Sequence, residues 1–338
     1  MHYILCKDDN WTSILKKELT ADFTKDCYVL KGFPLIKLPA ETNLKDGYIA
    51  FSSTALIDAA LVPDNSVSKQ AAEIMADLSS KIEPGSKINC HVFGLTEKYG
   101  ILETGRAEII SGKVTQALKK KNIHCPRKGF DRTLGFLQIL ILPNRSVAVS
   151  FIKKEDLASY QSLISPFAGG FSNVGDDLKA PSRAFKKLIE AQEVMGIKIS
   201  ETDIVVDLGA CPGGWTYVAR KSGAKVIALD RSPLAKELME DKLVIFKKED
   251  AFKFEVKEPV DWVVSDIVCA PERILELINY WAVEKKCKNF VFTIKFKGHQ
   301  DYGLLKKFKN IAKEVDYNVI LKQLNVNKNE VTIMGTQY

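Results

Sequence analysis

The sequence predicts an α/β protein whose C-terminal half is built on a mostly parallel sheet with helices on both faces, preceded by an α+β region. Three observations predict it. From residue 182 onward, apolar runs of strand length alternate with segments of helical period. A glycine-rich turn joins the first of those runs to a helix. The last two runs follow one another with only a polar loop between them. Alternation implies parallel neighbours, because a parallel pair needs a crossover connection. Two runs joined by a short loop pair antiparallel, so the sheet ends in an edge hairpin.

Taken in chain order, residues 1–65 form an N-terminal α+β domain, with a strand over 2–6, a helix over 11–19, and β-rich segments over 28–38 and 47–51. Residues 66–164 form a second, with helices over 70–78 and 112–120 and strands over 88–93, 137–142 and 147–152. Residues 165–181, SPFAGGFSNVGDDLKAP, are dense in turn-forming residues and read as a linker. In the last domain, 182–338, helices fall over 182–195, 215–222, 233–240, 271–283 and 302–315. Its seven strands fall over 204–208, 225–229, 243–246, 262–265, 290–296, 319–323 and 331–334. The strands are short apolar runs rich in β-branched and aromatic residues.

A chain of 338 residues has room for two or three domains. With 46% hydrophobic and 27% charged residues it has the composition of a soluble globular protein. No apolar run reaches the length of a membrane span, and the N-terminus lacks the features of a signal peptide. A cytoplasmic protein without a membrane partner is expected. Seven scattered cysteines argue against a disulfide framework. Four histidines and no C-x-x-C pair offer no metal site.

The net charge of +7 is compatible with a polyanionic partner. Lys113, Lys119, Lys120, Lys121, Arg127, Lys128 and Arg132 form a basic run interrupted by one acid, Asp131. This run is a candidate phosphate-contacting surface; a solvated helix face is the alternative.

Residues 207–215, DLGACPGGW, carry the strongest chemical signal. A glycine turn between strand and helix lets a ligand approach the backbone, and free amides at the helix N-terminus favour an anionic group. Nicotinamide, flavin and S-adenosylmethionine folds all use such a turn. The spacing here, Gly209, three residues, then Gly213 and Gly214, departs from the dinucleotide G-x-G-x-x-G pattern. Asp230 closes the next strand, where a carboxylate can accept hydrogen bonds from a ribose diol. Asp266 closes a later one, and Lys295 lies in a strand too apolar to hold a charge without a partner or a function.

Residues 181–338 resemble the FtsJ-like ribose 2′-O-methyltransferases, through DLGACPGGW, PSRAFKKL, SDIV, FTIKFK and NEVTIMG in the family's order. The resemblance implies a Rossmann-like class I methyltransferase fold and S-adenosylmethionine as cofactor. It places a Lys-Asp-Lys-Glu catalytic tetrad on Lys187, Asp266, Lys295 and Glu330. It puts Asp230 on the cofactor ribose and Asp250 near the adenine amino group. Asp207, Gly209, Cys211, Pro212, Gly213, Gly214 and Asp266 complete the cofactor site, with Trp215 as a contact or as a helix-start packing residue. Within the family, APSR, DLGACPGGWTY and EDAFKF are similar to the group of ribosomal RNA large subunit methyltransferases M. That similarity implies an RNA partner, with large-subunit ribosomal RNA as substrate and transfer RNA as the alternative. Residues 70–160 are more weakly similar to a THUMP RNA-binding domain.

Competing chemistries lack their motifs. Asp266-Ile267-Val268-Cys269 is not the Asn/Asp-Pro-Pro-aromatic loop of amino-group methylation, and no Pro-Cys or Thr-Cys offers the thiolate of C5 methylation. A dehydrogenase is disfavoured by the glycine spacing; a non-catalytic RNA-binding protein is disfavoured by the intact tetrad. In the methyl transfer, positioning supplies most of the rate, and removal of the 2′ proton adds about 10²–10⁴-fold. A lysine with an ordinary pKa would need ~4.6 kcal/mol to be neutral at pH 7. Lys295 as base and Lys295 as orienting group therefore both stand at this stage.

Overall fold

A computed structural model describes residues 1–95, 105–126 and 129–337. The chain forms two compact units, Met1–Phe171 and Ser172–Tyr338.

In the first unit, β1 (His2–Leu5) leads into α1 (Thr12–Asp22), followed by β2 (Tyr28–Val29), β3 (Leu35–Leu38) and β4 (Thr54–Leu56). These four strands form an antiparallel sheet in the order β2-β3-β1-β4. The expected β-rich segment 47–51 is not a strand; it turns, and the pairing edge is supplied by β4 instead. Ile49, Ala50 and Phe51 are buried there all the same. Burial, rather than strand formation, accounts for their apolar pattern.

A second sheet contains β5 (Ala60–Val62), β6 (Ile88–Gly94), β7 (Gly135–Ile141) and β8 (Val147–Ile152), ordered β5-β8-β7-β6 with only β6 and β7 parallel. Two helices, α2 (Val67–Leu78) and α3 (Gly105–Lys120), share its core. On α3 the buried residues Ala107, Ile110, Val114 and Leu118 recur at helical spacing. That stripe leaves Lys113, Lys119 and Lys120 exposed, with Lys121 just beyond the helix end. Arg132 differs from them: it is half-buried, lies 6.0 Å over the Phe130 ring, and burial lowers its pKa. Arg127 and Lys128 lie outside the described residues.

The expected linker 165–181 is not a free tether along its length. Ser165, Gly169 and Gly170 are buried in the first unit, where Ser53 Oγ donates to the Gly169 carbonyl at 3.2 Å. In the second unit, Asp177 accepts from Tyr217 at 2.8 Å and Lys221 at 2.9 Å. Small and polar residues here serve close packing and hydrogen bonding as well as turning.

The second unit opens with α4 (Phe185–Met195), β9 (Ile204–Leu208), α5 (Gly214–Lys221), β10 (Lys225–Leu229), α6 (Lys236–Met239) and β11 (Val244–Lys247). It continues with β12 (Val260–Ser265), α7 (Pro271–Ile278), β13 (Cys287–Lys295), α8 (Leu305–Glu314), β14 (Tyr317–Lys322) and β15 (Glu330–Gln337). The seven-stranded sheet runs β11-β10-β9-β12-β13-β15-β14. The strands from β11 to β13 pair in parallel, and β15 enters antiparallel between β13 and β14. The predicted hairpin is therefore present, with β14 as its outer strand. The predicted helix 233–240 contracts to α6, four residues long. No helix among the described residues is long and apolar enough to cross a membrane.

Candidate active site

Strand order decides where the site lies. The chain builds outward from β9 to β11, then returns to the other side of β9 with β12. The loops after β9 and β12 leave in opposite directions and open a crevice at the carboxyl ends of the strands. Gly209, Asp230 and Asp266 each follow directly on the ends of β9, β10 and β12, and Lys295 ends β13. Glu330 reaches the same edge because β15 runs the other way and begins there, opposite Lys295.

Lys187, near the start of α4, joins these groups into one ion network. Its Nζ donates to Asp266 Oδ1 at 2.9 Å and Oδ2 at 3.1 Å, and to Glu330 Oε2 at 2.5 Å. Lys295 Nζ lies 3.0 Å from Asp266 Oδ1 and donates to the Asp266 carbonyl at 2.6 Å. The order in space is Glu330, Lys187, Asp266, Lys295, with alternating and balanced charge. A buried charge needs such partners, and removing one from a buried pair typically costs about 3–5 kcal/mol. Side-chain exposure separates the members: 9% for Lys187, 16% for Glu330, 17% for Asp266 and 22% for Lys295. Lys295 is thus the member most open to an incoming group, and Lys187 the most enclosed.

Beside this network lies a cavity of about 430 Å³, lined by Gly209, Cys211, Asp230, Asp250, Phe252 and Asp266 among others. Its volume is within the range of small-molecule sites, ~300–1,000 Å³. Asp266 belongs both to the cavity and to the ion network. Asp250 accepts from the Phe252 amide at 3.0 Å, the main reason its carboxyl titrates below the usual range. Four carboxylates on the wall, Asp230, Glu249, Asp250 and Asp266, suit a ligand rich in hydroxyl and amino donors. Adenosine with a cationic tail is such a ligand. Among the described residues no group of His, Cys, Asp and Glu is placed to hold a metal ion.

The amides that open the turn, ahead of the helix start, are engaged within the protein. Gly209 and Ala210 donate to the Leu229 carbonyl at 2.8 and 3.0 Å, and Cys211 donates to Asp230 Oδ2 at 2.9 Å. Asp230 Oδ1 also accepts from Ser232 at 2.9 Å. Asp230 therefore staples the turn while facing the cavity. Packing against the protein explains two of the glycines. Gly213 has φ +110°, and a Cβ there would collide with Leu238; a Cβ on Gly214 would collide with Ser182. Neither these two nor Pro212 is among the residues lining the cavity.

Two further residues expected at the cofactor point elsewhere. Trp215 is buried, and its Nε1 donates to the Ala184 carbonyl at 2.8 Å, fastening α5 to the start of α4. This is the packing role. Asp207 is 1% exposed and accepts from Thr216 Oγ1 at 2.7 Å. It ties β9 to α5 from within the sheet.

Burial raises the Asp207 pKa from 3.8 to about 7. An acid with a raised pKa favours the fold in its protonated form. Its stability contribution is full below pH 3.8, is lost as pH rises toward about 7, and stays lost above. Asp207→Asn should therefore gain stability relative to wild type between pH 4.5 and pH 7, with no further gain above. Urea unfolding across that range checks this; a pH-independent difference would reject it.

Partial desolvation raises the thiol pKa of Cys211, on the exposed turn, and of half-buried Cys269. All seven cysteines are free. Sequence reasoning missed Arg273, which lines the cavity with its guanidinium 3.5 Å over the Phe252 ring. On sequence it is an ordinary helix-surface arginine. It missed Glu190 as well, buried on α4 and accepting from the Asn325 amide and side chain at 2.9 and 3.1 Å.

Residues 180–332 match the family model for FtsJ-like methyltransferases. A ribosomal RNA large subunit methyltransferase M from Saccharophagus degradans is 30% identical over 345 residues, covering 94% of this chain and 95% of its own. One from Marinomonas is 35% identical over 187 residues, covering 52% of this chain and 53% of its own, so about half of that relative is spanned. Among solved structures, an rRNA methylase from Streptococcus thermophilus is 17% identical, with a TM-score of 0.33 over 48% of this chain and 99% of its own.

Proposed function

The chain belongs to the ribosomal RNA large subunit methyltransferase M family, and on that premise we propose that it transfers a methyl group from S-adenosylmethionine to a ribose 2′-oxygen of large-subunit ribosomal RNA, using Lys187, Asp266, Lys295 and Glu330. The observation that carries the reading is Asp266, shared between a cavity sized for the cofactor and the four-member ion network.

In this reading Gly209, Asp230, Asp250 and Phe252 hold the cofactor, which supplies an electrophilic methyl on a sulfonium. Asp266 fixes Lys295 through two acceptors, its carbonyl and Oδ1. One N–H of Nζ is engaged by the carbonyl and the Oδ1 contact is an ion pair, so in this reading Nζ can also meet the acceptor hydroxyl. As an amine it presents a lone pair that takes the 2′ proton; as an ammonium it presents an N–H that orients the oxygen. Lys187 and Glu330, more enclosed, hold Asp266 and one side of the ribose. General base or orienting action of this kind contributes about 10²–10⁴-fold.

The test is the position of the methyl. A 2′-O-methyl removes the nucleophile that cleaves the adjacent phosphodiester in alkali. Labelled product should therefore survive alkaline digestion as a resistant dinucleotide. Label recovered on a base would reject the reading.

The unit Met1–Phe171 is assigned in the same proposal to RNA recognition, on the exposed lysines at the end of α3. Replacing Lys119, Lys120 and Lys121 together should weaken RNA binding and leave S-adenosylmethionine binding unchanged. For every phosphate that is no longer neutralised, the slope of log affinity against log salt should become shallower by about 0.7–0.9. An unchanged slope would show that these lysines form a solvated face away from RNA.

A further inference from the structure

We infer that Asn329, oriented by Tyr302, is a positioning residue that holds Lys295 and Glu330 in register at the open end of their ladder. The inference rests on the tetrad reading above and adds two residues to it. The β13–β15 pairing ends at Lys295 opposite Glu330. Residues directly opposite on antiparallel strands share a face, so these two side chains rise from the sheet together. The last pair of a ladder is also where strands fray, because nothing beyond it holds the backbones together. Here something does.

One residue past the pair, the Phe296 amide donates to the Asn329 carbonyl at 3.0 Å. The Asn329 side chain then returns the bond, its Nδ2 donating to the Phe296 carbonyl at 2.7 Å. A carboxamide thus supplies the donor that a further main-chain N–H would have supplied. It does so only with its nitrogen turned toward Phe296. The Tyr302 hydroxyl sets that orientation by donating to Asn329 Oδ1. A reversed amide would set two oxygens against each other at Phe296.

Tyr302 is itself fixed. Its ring meets Phe296 edge-on, with centroids 5.1 Å apart and planes at 82°. The turn that carries it, His299–Leu304, begins at Gly298, where Asp301 Oδ2 accepts from the Lys297 and Gly298 amides at 2.9 and 3.2 Å. The chain leaving Lys295 is therefore folded back and locked onto the residue preceding Glu330. Neither Asn329 nor Tyr302 is among the residues lining the cofactor cavity. Their effect should reach the reaction only through the positions of Lys295 and Glu330.

The test compares Asn329→Leu, Tyr302→Phe and the double variant in single-turnover methyl transfer at saturating cofactor and RNA, with cofactor affinity measured by calorimetry. Small misplacements of a reacting group can cost up to about 10²-fold, so Asn329→Leu should slow transfer by roughly 10- to 100-fold. Tyr302→Phe keeps the ring packing and loses one hydrogen bond, for an expected loss of about 2- to 10-fold. Cofactor affinity should stay at its wild-type value in both. The double variant should be no slower than Asn329→Leu alone, since the tyrosine acts through the asparagine. In a Lys295→Ala background, adding Asn329→Leu should lower the residual rate by a smaller factor than it lowers the wild-type rate, since only Glu330 is left to be displaced, whereas a general structural role would lower both by the same factor. If Lys295→Ala is inactive while Asn329→Leu and Tyr302→Phe transfer at the wild-type rate, the brace is wrong and the tetrad stands. If Lys295→Ala itself transfers at the wild-type rate, the tetrad and the brace both fall.

Discussion

Lys295→Ala should reduce methyl transfer by about 10²-fold or more while leaving cofactor affinity near wild type. The lysine is the most exposed member of the ion network, at 22%, and it leans on Asp266 through its carbonyl and carboxylate. Its removal deletes the group that the proposed mechanism sets against the acceptor hydroxyl. Lys187 stays paired with Asp266 and Glu330, so the enclosed part of the network remains intact. Loss of turnover without loss of fold is thus the expected profile. Rapid quench at saturating RNA separates the chemical step from binding, and a variant with near-full single-turnover rate would overturn the assignment.

Asp230→Ala should show the opposite profile, with cofactor affinity lowered and the ion network untouched. A hydrogen bond to a charged group is worth roughly 1.5–3 kcal/mol, which corresponds to about a 10- to 100-fold rise in Kd. The structure adds a second reason for a large effect. Asp230 accepts from the Cys211 and Ser232 amides, both at 2.9 Å, so its loss also loosens the turn against the cavity. Asp230→Asn keeps an acceptor for one of these amides and should fall between wild type and alanine. Calorimetric titration showing the same affinity for all three proteins would remove Asp230 from the cofactor site.

Much of the second unit was legible because its signals are local. The alternation of apolar strand and helix segments predicts the parallel sheet. The short polar loop before residue 330 predicts the antiparallel return, found as β14 and β15. Where the reading failed, local pattern and tertiary burial had parted. Residues 47–51 are apolar because Ile49, Ala50 and Phe51 are buried in a turn, and period alone does not distinguish that from a strand. The linker residues Ser165, Gly169 and Gly170 look flexible by composition yet are packed.

Glycines show the same division. Their presence in DLGACPGGW marks a tight turn on any reading. That Leu238 and Ser182 crowd the positions where Gly213 and Gly214 would carry a Cβ depends on residues remote in sequence or on another helix. Arg273 and Phe252, Asn329 and Tyr302 were unreadable for a related reason: each pair is made by elements that meet only after folding.

By itself the sequence determined the element types of the catalytic half, the order of its motifs, and which side chains carry charge into apolar strands. Periodicity and turn chemistry act over a few residues, so they are written locally. What only the tertiary structure decided is which groups meet. Lys187 and Glu330 are 143 residues apart in the chain and hydrogen-bonded in space. Lys187 and Asp266, 79 apart, meet at 2.9 Å. Those meetings follow from the strand order β11-β10-β9-β12-β13-β15-β14, which brings the carboxyl ends of parallel strands and the start of an antiparallel one to a single edge. A hydrogen bond depends on distances of about 3 Å, and no local pattern in a chain encodes a distance between segments that only packing brings together.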